Sequence, residues 1–341
     1  MYSDKSVLLA IETSCDETAA AVVRADMRVL SSIVASQVQL HSEWGGVVPE
    51  IASREHVAAI NGVIRAALAE ASVVPAELQA VAVTVGPGLP GSLSVGVSAA
   101  KALALAWSKP LVGVNHHEGH LFSAELDGTR VQFPAVYLLV SGGHCAIVYA
   151  RERGEYRLVG STRDDSVGEA YDKVARELGL GYPGGPILDR MARDGNPGIP
   201  FPRPMLNVGY EFSFSGLKTA VRRAIEGGQL GTADIIASFV AACMDVLSTK
   251  LIRAIHEFEP RTAVVVGGVA ASPVLRDRLK SEVQPPTDLL FPTLKYSTDN
   301  AAMIGAAGWW QLINHGASRS DIGMNPGLQL RTMSRMGDAG S

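Results

Sequence analysis

Short contiguous apolar runs alternate along this chain with longer stretches whose apolar positions recur every three or four residues, the signature of strands interleaved with helices. Residues 7–11 and 18–23 are apolar and flank the polar loop Glu12-Thr13-Ser14-Cys15-Asp16-Glu17, a pattern that predicts a hairpin; residues 29–34 add a third strand. Helical periodicity covers 50–70. A buried strand is expected at 81–85, then the loop Gly86-Pro87-Gly88-Leu89-Pro90-Gly91 and a helix rich in small residues over 92–107, stopped near Pro110. A short strand at 111–114 leads into a helix from His116 to about Glu125.

The second half repeats this grammar. Strands at 135–140 and 145–149 enclose Ser141-Gly142-Gly143 and form a second hairpin like the first. Helices are expected at 168–178, 186–193 and 232–258, a strand at 262–266 running into Gly267-Gly268, and helices at 272–281 and 299–313. The Pro- and Gly-rich stretch 181–211 reads as a long ordered loop, and the tail after about Leu330 as disordered. Two related α/β lobes divided near Phe133-Pro134 are the expected architecture, with a ligand cleft between them.

With 341 residues, 47% of them hydrophobic and 19% charged, the chain belongs with packed globular proteins of two domains. No apolar run reaches the roughly 18–20 residues of a membrane span, and the first residues do not read as a signal peptide. The expected location is the cytoplasm, with no membrane partner. Cys15, Cys145 and Cys243 match no zinc or redox spacing and read as core filler in a reducing compartment. A net charge of −4 advertises no nucleic acid, so such a partner would need a local patch or another subunit.

His116 and His120 carry the first chemistry. A spacing of four puts both imidazoles on one helical face with Cβ atoms roughly 5–6 Å apart, close enough to share a divalent ion. The alternative is a pair of core histidines bonded to backbone. His117-Glu118 is no zincin motif, because position 121 is Leu121. The Ser141-Gly142-Gly143 and Gly267-Gly268 turns offer bare backbone N–H groups to a phosphate, although hairpins and βα turns also use glycine for geometry alone. Asp16 and Glu17 could orient a substrate or act as general base, or could simply be a solvated turn. Asp299, in Ser297-Thr298-Asp299-Asn300, could cap the helix that follows or complete a metal site.

Together these segments resemble the TsaD family of tRNA N(6)-adenosine threonylcarbamoyltransferases. The resemblance runs from Ile11-Glu12-Thr13-Ser14-Cys15-Asp16-Glu17-Thr18 through Gly86-Pro87-Gly88, His116…Gly119-His120 and Leu139-Val140-Ser141-Gly142-Gly143-His144. It continues through Gly168-Glu169-Ala170-Tyr171-Asp172-Lys173, Tyr182-Pro183-Gly184-Gly185-Pro186, Phe212-Ser213-Phe214-Ser215-Gly216-Leu217-Lys218-Thr219 and Gly267-Gly268-Val269. It ends with Ser297-Thr298-Asp299-Asn300-Ala301-Ala302-Met303, so it covers about residues 7–328.

The resemblance implies the two-lobed actin-like ATPase (ASKHA) fold, with each lobe a mixed β-sheet flanked by helices. The lobes would be 1–133, completed by a helix near 299–325, and 134–298, with 331–341 a flexible tail. It implies transfer of a threonylcarbamoyl group from threonylcarbamoyl-AMP to the exocyclic amine of the adenosine 3′ of the anticodon, in tRNAs reading codons that start with A. Metal ligands so implied are His116, His120 and Asp299, holding one divalent ion per subunit, Fe(2+) or alternatively Zn(2+). Substrate contacts so implied are Leu139, Val140, Ser141, Gly142, Gly143, Asp172, Gly185 and Asp189. The implied partners are tRNA, a TsaB-like paralogue and a TsaE-like ATPase. One position departs: the family usually has asparagine where this chain has Ser272, a substrate contact whose single hydroxyl can still bond a ribose or adenine edge in place of a carboxamide. Arg151, Arg153 and Arg157, and Arg276, Arg278 and Lys280, are candidate RNA phosphate contacts. The competing function on the same fold is an ATP-dependent small-molecule kinase, which would not need the paired histidines.

Overall fold

A computed structural model describes residues 2–330. The tail expected to be flexible, 331–341, lies outside the described residues. The chain forms two compact units, one from 2–130, Gly179–Pro183 and Pro292–Leu328, the other from Val131–Leu178, Gly184–Phe291 and 329–330.

The first unit holds β1 (Val7–Glu12), β2 (Glu17–Arg24), β3 (Val29–Ser36), α1 (Val38–Ser42), α2 (Pro49–Ala71), β4 (Leu78–Gly86), α3 (Pro90–Ala106), β5 (Leu111–Asn115) and α4 (His116–Ser123). The second holds β6 (Ala135–Val140), β7 (Cys145–Glu152), β8 (Glu155–Ser161), α5 (Val167–Glu177), α6 (Gly184–Met191), α7 (Ser215–Gly227), α8 (Thr232–Phe258), β9 (Thr262–Val266), α9 (Pro273–Glu282) and β10 (Asp288–Leu290). The last helix, α10 (Ala301–His315), returns to the first unit.

The two sheets share one topology. Their orders are β3-β2-β1-β4-β5 and, read from the corresponding edge, β8-β7-β6-β9-β10. In each, the first three strands form an antiparallel meander and the last two add in parallel. This duplicated mixed sheet with helices is the actin-like ATPase architecture.

Strand alternation divides the first unit's core into two layers. In β1, Leu8 and Ala10 face one side while Val7, Leu9 and Ile11 face the other, as a period of two requires. The second side is closed by α2 and α3 through residues such as Ile60, Val63, Ile64 and Val97. The first side is lined by Ala10, Ala19, Ala21, Ala80 and Ala82, and this shallow surface lets α10 lie close. A Cβ added at Gly308 would come within 2.7 Å of the Ala82 Cβ, and one at Gly119 of α4 within 2.6 Å of Ile304 Cδ1. The small residues therefore bring α4 and α10 together, which decides where their ends meet.

Past α10, the segment 318–328 straps across the ends of β4 and β5. Ser318 N donates to Leu111 O at 2.8 Å, Asn325 N to Val85 O at 2.6 Å, and Gly113 N to Ser318 Oγ at 2.9 Å.

Three differences from sequence expectation stand out. Helix α8 is apolar and long enough to cross a membrane by composition, unlike the expectation of no such run, but 78% of its most apolar stretch is buried. It is the core helix of the second unit, packed on β6 and β7. Helix α7 was not expected, because only Leu217 and Val221 form its buried stripe, too thin a period to read. Strand β8 was hidden by its charges, with Glu155 and Arg157 beside the buried Tyr156.

Candidate functional site

Asn115 ends β5 and its side chain accepts from His117 N and Glu118 N, so the strand turns at once into α4 with a capped start. His116 and His120 then stand one above the other, ring centroids 4.7 Å apart. Asp299 precedes α10. Sequence alone left it as helix cap or ligand; the cap is Asn300, whose side chain accepts from Met303 N at 3.0 Å. Asp299 turns instead toward the histidines, its Oδ1 3.1 Å from His120 Nε2 and 3.6 Å from His116 Nε2. One ligand atom from each of the three side chains falls within 4.8 Å of the others.

These residues suit a divalent ion. His120 is almost fully buried, yet neither ring nitrogen has a hydrogen-bond partner among the described residues, and its approach to Asp299 lacks hydrogen-bond alignment. A buried imidazole without a partner is costly unless something else takes its lone pair. Two imidazoles and one carboxylate leave coordination positions open, as catalytic rather than structural sites do. In the metal-free chain a proton takes this role at His116. Burial would lower its basicity, but Asp299 and Glu12 outweigh that and raise it to about 9.

The first loop is no solvated turn. Glu12, Thr13 and Ser14 are buried, and Thr13 Oγ1 donates to Ser92 O at 2.8 Å. Glu12 is the residue beside the histidine pair that sequence reading missed. Its carboxylate accepts from Ser14 N and from Thr84 Oγ1, and Oε2 lies 3.1 Å from His116 Nδ1. Burial works to raise the Glu12 carboxyl, but the charge and hydrogen bond of His116 bring it below its usual range. Ser14 Oγ is 3.0 Å from the same nitrogen. Nothing in the sequence separates Glu12 from Asp16 and Glu17 except that it ends an apolar strand, where a carboxylate must be buried.

Asp16 and Glu17 follow at the rim of this loop. Burial raises the Asp16 carboxyl. Burial and the neighbouring Asp16 push Glu17 up to about 8, against a 2.9 Å hydrogen bond from Ser36 Oγ. At neutral pH Glu17 therefore keeps its proton and can give one rather than take one.

The remaining expected residues gather in the second unit. Leu139 and Val140 are buried at the end of β6 and deliver Ser141, whose N–H donates to His144 O at 2.8 Å. Gly142 and Gly143 are exposed, do not have positive φ, and a Cβ on either would meet nothing within 4 Å. The same space lies at Gly185. The fold itself thus makes no demand for glycine there. Gly267 is the opposite case: its φ is +94° and a Cβ would strike Val140 O, so the fold explains this glycine. A 3-10 turn, Gly268–Ala271, separates it from α9.

Asp172 Oδ1 accepts from Gly184 N at 2.8 Å, tying α5 to the start of α6 beside Gly185. Ser272 caps α9 by accepting from Leu275 N, and its hydroxyl donates to Asp189 Oδ2. Tyr171 OH donates to the other oxygen of Asp189 at 3.3 Å, and burial raises this carboxyl. Ser272 and Asp189 are thus one unit.

Five of the six candidate phosphate contacts are engaged internally, Arg153 over the Phe133 ring among them, while Lys280 is exposed. Arg278 pairs with Asp245 and Glu282, Arg276 donates to Ala270 O, Arg151 pairs with Glu155, and Arg157 lies over the Phe258 ring.

A family model described as TsaD, tRNA N6-adenosine threonylcarbamoyltransferase, matches residues 28–306. A tRNA N6-adenosine threonylcarbamoyltransferase of Geobacillus kaustophilus is 50% identical over 333 residues, covering 95% of this chain and 96% of its own. The enzyme of the same name from Enterococcus faecalis is 47% identical and covers 98% of each chain. Among solved structures, HypF of T. kodakarensis superposes with a TM-score of 0.63 at 14% identity over 92% of this chain and 48% of its own, a likeness of fold alone. The chain belongs to the TsaD family of transferases, the tRNA N6-adenosine threonylcarbamoyltransferases.

Proposed function

We propose that this chain takes threonylcarbamoyl-AMP as its donor and acts on the adenosine 3′ of the anticodon in tRNAs reading codons that start with A. The observation that carries the reading is the convergence of His116, His120 and Asp299 in a chain of this family. The donor is a mixed anhydride of a carbamate and a phosphate. The adenosine N6 attacks the carbamoyl carbon, the bond from that carbon to the phosphate oxygen breaks, AMP leaves, and one N6 proton is lost. With so good a leaving group, the residues mainly position the reactants and stabilise developing charge.

His116, His120 and Asp299 would hold one divalent ion, Fe(2+) or Zn(2+), which when bound supplies Lewis-acid polarisation of a carbonyl. The Ser141-Gly142-Gly143 turn, at the end of Leu139 and Val140, receives the phosphate on the backbone N–H groups of Gly142 and Gly143, which no Cβ obstructs. Asp172 and Gly185 hold the ribose or adenine, and the Ser272–Asp189 pair orients the nucleoside from the other side. Asp16 accepts the amine proton, while Glu17, protonated at neutral pH, gives its own to the departing phosphate oxygen. The chain works in the cytoplasm with a TsaB-like paralogue and a TsaE-like ATPase.

The test incubates the chain and these partners with threonylcarbamoyl-AMP and such a tRNA, then looks for the modified nucleoside by mass. No modified nucleoside with every partner present would overturn the proposal.

A further inference from the structure

The His116 ring is held from behind by a group outside the ligand set. Its Nδ1 faces Glu12 Oε2 at 3.1 Å and Ser14 Oγ at 3.0 Å, while Nε2 faces Asp299. A carboxylate has no proton to give, so the nitrogen facing it must be the protonated one. That leaves the lone pair on Nε2, directed toward the point shared with His120 and Asp299. Glu12 cannot turn away: it is fully buried, Ser14 N and Thr84 Oγ1 occupy its two oxygens, and it ends β1 at the centre of the sheet. His120 has no such support, since both its nitrogens lack a partner among the described residues.

We infer that Glu12 is the positioning residue of the metal centre: it fixes the His116 tautomer and adds a buried negative charge behind that ligand. The inference rests on the metal reading above. Partners behind a metal-bound histidine raise its basicity and lock its orientation, and their loss costs on the order of 10–100-fold in metal affinity. Because Asp299 is the one carboxylate in the ligand set, Glu12 also supplies the second negative charge that a divalent ion in a buried site requires.

The probes are Co(2+) and Zn(2+), titrated into the full-length metal-free chain of the wild type and of Glu12→Gln, Glu12→Ala and His120→Ala. Glu12→Gln keeps an acceptor but removes the charge, whereas Glu12→Ala removes both. The expected series is a loss of about tenfold for Gln and nearer a hundredfold for Ala, with an altered visible spectrum of the Co(2+) form. Nitrogen NMR of the 15N-histidine-labelled, metal-free chain, held above pH 9 so that His116 is neutral, reads the tautomer directly, which a purely structural residue would not move. Nδ1–H is expected for wild type and Glu12→Gln, and a mixture for Glu12→Ala. Should Glu12→Ala fail to fold by circular dichroism, Glu12→Gln alone decides. Equal affinity of wild type and Glu12→Gln, with an unchanged Co(2+) spectrum, overturns the role of Glu12. Wild type and His120→Ala binding equally would instead overturn the metal reading itself.

Discussion

His120 Nε2 stands 3.1 Å from Asp299 Oδ1, two groups brought together only because α4 and α10 pack closely through Gly119. Asp299→Asn keeps size and shape but removes the only charged ligand of the cluster. It is expected to weaken divalent metal binding by more than about 100-fold, beyond what loss of a partner behind a ligand costs. His116→Ala with His120→Ala should abolish metal content and transfer while leaving the circular dichroism spectrum intact. Metal analysis of the purified proteins, alongside the nucleoside assay, checks both. Full activity in a metal-free double variant would remove the metal from the mechanism.

Glu17 gives a pH-dependent stability. Its folded carboxyl titrates at about 8 rather than near 4.5, because burial and Asp16 disfavour the charge. Between those two values the folded chain holds a proton the unfolded chain has released, so stability falls as pH rises through that window. Glu17→Gln is expected to match the wild type at pH 4.5 and to exceed it at pH 9 by on the order of 1–3 kcal/mol. Denaturant melts at the two pH values measure this; a difference that does not grow with pH refutes it.

The open glycines separate ligand approach from fold. Gly142→Ala and Gly143→Ala add a Cβ that meets nothing in the protein, so unfolding stability should change by less than about 0.5 kcal/mol. The KM for threonylcarbamoyl-AMP is expected to rise about tenfold or more, since the added methyl stands on the turn proposed to receive its phosphate. An unchanged KM would move the phosphate elsewhere.

Lys250 is fully buried in α8, and its ammonium donates to the carbonyls of Met205, Val208 and Gly209 at 2.8–3.0 Å. Lys250→Met leaves three acceptors to find water and is expected to cost about 2–4 kcal/mol. Burial brings the amine down to about 8. Between pH 8 and about 10.5 the unfolded chain therefore binds a proton that the folded chain lacks. Stability then rises with pH across that range, and the Met variant should lose this slope.

The sequence makes the histidine pair legible because four residues are one helical turn, a local relationship. Asp299 is different: the whole second unit intervenes, and only the family resemblance joined it to the pair. Its rival role as a cap disappears once Asn300 is seen to take it. Glu12 was illegible for a further reason. A carboxylate ending an apolar strand looks like the first residue of a polar loop, and only the fold shows that Thr84 and His116 close over it. The repeated sheets were readable because each begins with two apolar runs around a short turn. Strand β10 was not, since three residues after Pro285-Pro286 carry no period.

The strap at 318–328 has a practical consequence for anyone shortening this chain. β5 is the outermost strand of its sheet, and the strap occupies the Leu111 carbonyl and the Gly113 N–H along that margin. A protein cut back to residue 317 would present bare strand polar groups next to a row of apolar side chains, the template on which chains stack edge to edge. Such a product should come out of the cell as sediment, with its histidine pair intact but of no use.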